Sequence, residues 1–112
     1  MTTHTSYRHR YDPKAKCPWG TPTDFQAVTD GILWLNTPRH GGYVVSREMY
    51  DKMPDHLKAC SFTNDQYFEE DLSWCAVVLA FPQYFGTGLC KAARETYERF
   101  YRRHDADLFP SP

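Results

Sequence analysis

No stretch of this sequence approaches the 18 or so consecutive apolar residues that a membrane-spanning helix needs. Its long apolar run, Leu72–Phe81, is only ten residues and includes Ser73. The sequence starts MTTHTSYRHR and shows no apolar secretory core there. The cysteines are Cys17, Cys60, Cys75 and Cys90, and no two form a C-x-x-C pair, so the zinc-ribbon pattern is excluded. Neither sign of charge is in excess, with 13 Lys and Arg against 14 Asp and Glu. That removes any global electrostatic case for nucleic acid. Walker, zincin and GxSxG patterns are missing, as are internal repeats. These absences point to a cytoplasmic protein with reduced thiols, no cofactor, no metal and no membrane partner.

Rings are what the sequence has in surplus. Eight Tyr, seven Phe and three Trp make 16% of 112 residues. A single domain of this size holds one core, and these rings exceed what it needs. They fit an aromatic core with partly exposed Tyr, or a protein-binding face, since hot spots favour Trp, Tyr and Arg. Charge is segregated along the chain. Arg8, Arg10, Lys14 and Lys16 open it, Asp65, Glu69, Glu70 and Asp71 mark the middle, and Lys91, Arg94, Arg99, Arg102 and Arg103 close it. A cluster of this kind most often forms a solvated face.

The pattern predicts an α+β fold. Residues 1–16 read as a loosely ordered basic arm, 17–104 as one domain and 105–112 as a tail. Trp19 would anchor the arm to the body. Asp30-Gly31 signals a tight hairpin turn between strands over about 25–36. Ile32, Trp34 and Asn36 would share one face, and Leu33 and Leu35 the other. Residues 37–42 read as a loop and 43–45 as a short strand. Ser46 suits a helix N-cap, with helix over about 46–53 until Pro54 interrupts. Asp55–Leu57 would add a short turn. The run at 71–81 predicts a buried helix, with Glu69, Glu70 and Asp71 at its positive end, although Val77-Val78 also suits a strand. Residues 88–104 predict an amphipathic helix with Leu89, Ala92, Ala93, Thr96, Tyr97, Phe100 and Tyr101 on one stripe.

Two segments have chemical potential. In Thr37-Pro38-Arg39-His40-Gly41-Gly42, paired glycines can expose backbone N–H groups to an anion, with Ser46 capping a helix beyond. Glu69 and Glu70 could serve as base or metal ligand. His40, Ser46, Glu69 and Glu70 are therefore the candidate catalytic set. A simpler reading makes the glycines a tight turn, ties His40 to a carboxylate, and leaves the acids to charge a helix start. His4, His9, His56 and His104 are scattered and read as surface residues.

The pattern Thr37-Pro38-x-His40-Gly41-Gly42, Ser46, Met53-Pro54, Leu57, then Tyr67-x-Glu69-Glu70-Asp71, Trp74, Val77, Leu79-Ala80-Phe81-Pro82 and Phe85, resembles a small domain of unknown function, DUF7007. Where this chain has Tyr67-Phe68, the family pattern reads Trp-Tyr. The resemblance implies a phage or plasmid setting and supplies no reaction.

From these features the expected function is that of an accessory protein of a mobile element. It would act as a counter-defence inhibitor, anti-CRISPR-like, binding a host protein or ribonucleoprotein complex rather than acting as an enzyme. Tyr97, Arg99, Tyr101, Arg102 and Arg103 are the expected contacts. The alternatives are a small hydrolase, transferase or ligand-binding domain using His40, Ser46, Glu69 and Glu70, and a DNA-associated factor using the basic arm.

Overall fold

In the computed structural model, which describes residues 11–63 and 65–102, Asp30-Gly31 turns the chain as its composition dictates. Strand β1 (Asp24–Thr29) pairs antiparallel with β2 (Ile32–Asn36), and Thr29 lies opposite Ile32. Gly31 takes φ +94°, a conformation that a residue with a Cβ resists. A bulge between Ala27 and Thr29 leaves Val28 outside the ladder. β3 (Gly41–Val45) pairs with β2, and β4 (Tyr67–Glu69) with β3. The sheet is antiparallel throughout and its order is β1-β2-β3-β4.

Ser46 caps the first helix, α1 (Arg47–Lys52), and its Oγ accepts the Met49 N–H at 3.2 Å. Met53 leaves the helix in an extended conformation, as a residue before proline must. α2 (Asp55–Lys58) follows. α3 (Trp74–Ala80) is the buried helix expected at 71–81, and it packs against β3, β4, α2 and α4 (Thr87–Tyr97). Burial of Cys75, Ala76, Val77 and Val78, with Trp74, Leu79 and Ala80 partly buried around them, explains its apolar character. A 3-10 turn (Pro82–Tyr84) joins α3 to α4, and a π turn (Glu98–Arg102) extends α4.

Several boundaries differ from expectation. The strand placed at 43–45 begins at Gly41, so the glycines belong to the sheet and not to a loop. β4 was not foreseen. Asp71–Ser73 is a turn and no acid lies in the first turn of α3. The helix expected at 88–104 starts at Thr87, ends at Tyr97 and continues as the π turn. On α4 the inward stripe is narrower than predicted, because Leu89 and Phe100 are exposed. Residues 1–10, Asn64 and 103–112 lie outside the described part, and with them most of the basic arm, the tail, His4, His9, His104 and Arg103. The Arg102 side chain lies outside it too.

The sheet is covered on both faces. On one, Ile32, Tyr43, Val45 and Phe68 meet Met49, Met53, Val77 and Ala93 from the helices. On the other, Leu33, Leu35, Val44 and Tyr67 lie under a strap of Tyr11, Cys17 and Trp19. Tyr11 pins the strap, its phenol oxygen accepting the Gly31 N–H at 2.7 Å. Burial, with help from Asp30, raises the Tyr11 phenol against the lowering effect of that bond. Trp19 meets Tyr67 edge to face at 5.8 Å.

Candidate functional site

Gly41 and Gly42 sit in a central strand because rings occupy the space beside them. A Cβ on Gly42 would collide with the Trp19 indole and come 2.6 Å from the Phe68 carbonyl. A Cβ on Gly41 would come 3.0 Å from both the Trp34 ring and the Leu35 carbonyl. The glycines thus serve close packing. Thr37 closes the preceding turn. Its Oγ accepts N–H bonds from Arg39 and His40, and its own N–H donates to the His40 carbonyl at 2.9 Å.

His40 Nδ1 stands 3.3 Å from Glu70 Oε2, with both side chains substantially exposed. Glu69 turns the other way. Its carboxylate accepts the N–H groups of Asp71 at 2.6 Å, Leu72 at 2.8 Å and Ser73 at 2.9 Å. The Glu69 N–H in turn donates to the fully buried Ser73 Oγ at 2.7 Å. This reciprocal clasp holds the turn that leads into α3 and gives that turn's backbone donors their acceptors. Glu69→Ala is expected to lower stability by about 1–2 kcal/mol, as loss of a charged acceptor shared by several backbone donors does, while Glu70→Ala should stay within about 0.5 kcal/mol because its partner is exposed. Urea denaturation of the two variants checks this.

The structure therefore brings His40 and Glu70 together, and commits Ser46 to a helix cap and Glu69 to the turn before α3. Ser46 lies at the far end of β3 from His40, six residues on, or about 20 Å along a strand. No small ligand spans that distance. Among the described residues no group of three or more His, Cys, Asp or Glu gathers as a metal would require.

Of the expected contacts on the last helix, Tyr97 and Tyr101 turn inward. Their rings stack at 5.7 Å, Tyr97 meets His56 at 5.9 Å, and the Tyr101 hydroxyl donates to the Cys60 carbonyl at 3.5 Å. Burial first, then the neighbouring Cys60, Cys75 and Glu69, raise the Tyr101 phenol. Arg99 stays exposed, 5.6 Å from the Phe100 ring.

A concave surface that the sequence did not reveal lies beside β1. Trp34, Tyr43 and Phe85 form its floor as successive edge-to-face pairs, at 4.7 and 5.6 Å. Gln26, Val28, Tyr84 and Gly86 complete a groove of about 520 Å³. A second concavity of about 430 Å³ lies along the same strand, lined by Pro13, Lys14, Pro22, Thr23, Asp24 and Phe25. Above the floor a relay fixes the polar groups. The Trp34 Nε1–H donates to Asn36 Oδ1 at 2.9 Å, and Asn36 Nδ2 donates to Asp24 Oδ1 at 2.7 Å. β1 ends the sheet, and among the described residues no strand pairs with its outer edge. The signal available in the sequence was the i, i+2 spacing of Trp34 and Asn36, which puts them on one face of a strand.

A family model described as a domain of unknown function (DUF7007) matches residues 12–110, nearly the whole chain. Comparison with curated proteins and with solved structures returns no match.

Proposed function

Starting from the fact that this chain belongs to the DUF7007 family, we propose that it is a binding protein whose partner adds an extended segment to the outer edge of β1. The observation that supports this most is the β1 edge, unpaired among the described residues and flanked by two concavities. An added strand directs alternate side chains to opposite faces, so its successive residues would enter one concavity and then the other, while main-chain bonds supply affinity. Asp24 to Ala27 of β1 are exposed, including Phe25, half accessible to solvent. An exposed edge is a pairing template, and the bulge at Val28 confines it here to Asp24–Ala27.

The phage or plasmid setting that the resemblance implies makes the partner a host defence complex, a protein or ribonucleoprotein such as a CRISPR effector. The action is stoichiometric occlusion. It draws support from the structural bonds that occupy Ser46 and Glu69. Contacts then come from β1, the aromatic groove and the exposed rings, with Arg99 and Phe100 on the π turn as a secondary patch.

Hydrogen exchange on the protein with and without a host effector checks it. Amides of β1 should slow by about tenfold or more on binding, and inhibition should reach its end point at a one-to-one ratio. Unchanged β1 exchange in a complex that forms, or inhibition well below one-to-one, overturns the proposal.

A further inference from the structure

The groove at β1 carries an unusual combination of groups. Its floor and rim are four rings, Trp34, Tyr43, Tyr84 and Phe85, and its lining includes no charged residue. The Trp34 N–H is already committed to Asn36, so what the indole offers a ligand is its π system. Asp24 pairs with Asn36 across the strands while Gln26 pairs with Trp34. Asp24 therefore stands on the groove face, two residues from Gln26, or about 7 Å along the strand. The Asn36 amide holds it by Oδ1, and among the described residues Oδ2 has no bond. Asp24 and Asp30 are the only charges from Asp24 to Gly31, and both are acids.

A ring face attracts a cation, and arginine more often than lysine, because its planar guanidinium can stack and still present N–H groups at its edge. A carboxylate with an open oxygen accepts those N–H groups in a charge-assisted bond. We infer that the Trp34–Asn36–Asp24 relay, with the aromatic groove beside it, is a binding site for an arginine side chain carried by the extended segment that pairs with β1. This rests on the strand-addition proposal and assigns the chemistry of the segment: basic, with arginine at a position facing the groove. Gln26, the neutral amide of the lining, makes no charge claim on the ligand.

The test uses a capped hexapeptide of alternating threonine and arginine, and the same peptide with citrulline, which keeps the shape of arginine without its charge. Binding to the full chain is followed by the indole N–H resonance of Trp34. The arginine peptide should bind about tenfold more tightly, the sum expected of an exposed cation–π contact and an exposed ion pair. That preference should fall to about threefold or less in Asp24→Asn, which keeps an acceptor for Asn36, and in Trp34→Leu. Equal binding of the two peptides to the natural chain overturns the inference, whatever the variants do, and so does failure of both to bind at millimolar concentration. An arginine peptide N-methylated at alternate residues separates the two claims. If methylation abolishes binding but arginine and citrulline are equivalent, strand addition stands and the arginine site falls. If methylation has no effect while the arginine preference persists, the site stands and strand addition falls.

Discussion

Replacing Gly42 with alanine is expected to lower folding stability by about 3 kcal/mol, the upper range for overpacking a filled interior. The added methyl would meet two obstacles of different kind. One is the Trp19 ring, a side chain that can shift only by lifting the strap from Leu33, Leu35 and Val44. The other is the Phe68 carbonyl at 2.6 Å, part of the β3–β4 ladder, which moves only if the strands separate. Against a total of about 5–15 kcal/mol for a domain, this is a large fraction. Gly88→Ala serves as the contrast. Nothing lies within 4 Å of its Cβ position, and alanine within a helix should add about 0.5–1 kcal/mol. Urea midpoints of both variants provide the measurement. In Trp19→Leu/Gly42→Ala the two effects should be non-additive, because the residues share one space. A Gly42→Ala variant as stable as the natural chain would show that Trp19 does not press on the sheet.

The second large effect is chemical. Burial pushes the Cys75 thiol from an ordinary 9.0 up to about 12; a bond with its own backbone opposes the rise, and Glu69 adds to it. The thiolate is the reactive form. At pH 8, alkylation of Cys75 in the native chain should therefore be about 10³-fold slower than that of a thiol of ordinary pKa, before any steric exclusion is counted. Cys90 is the one cysteine that is not buried. Brief iodoacetamide treatment followed by mass spectrometry should find Cys90 modified and Cys75 intact, with Cys75 reacting once urea unfolds the chain. Native labelling of Cys75 alongside Cys90 would mean that α3 opens on the timescale of the reaction.

Local rules were sufficient where neighbours in sequence decide the outcome. Asp30-Gly31 marked the hairpin, Ser46 marked the cap, and the alternation in β2 assigned Ile32 and Trp34 to one face and Leu33 and Leu35 to the other, as the two core clusters bear out. The helix at 71–81 was also legible, but for a different reason from the one its acids suggested. Glu69 is not in the helix. It folds back to accept three N–H groups ahead of it, an arrangement that depends on β4. That strand is only three residues long, too short for alternation to stand out. Gly41-Gly42 looked like punctuation because glycine usually is. The actual cause is tertiary: Trp19 approaches Gly42 from more than twenty positions away, and the Trp34 ring on the paired strand lies against Gly41. The same holds for Tyr97 and Tyr101, whose partners His56 and Cys60 lie some forty positions earlier. The groove by β1 could not be read from sequence, since its rings come from β2, β3 and the turn before α4, and only the fold assembles them.

Strand order equal to chain order has a consequence for synthesis. A chain leaving the ribosome exposes its N-terminal end first. The strap of Tyr11, Cys17 and Trp19 therefore emerges before any of the surface it will cover. β1, β2 and β3 follow with short links and can zip in sequence, but Tyr67 completes that surface only after two further helices have been made. The strap's Tyr11 anchor, the Gly31 N–H, is made with the first hairpin, whereas the Tyr67 ring that Trp19 meets is made only with the fourth strand, so the two ends of the strap can be fastened at different stages.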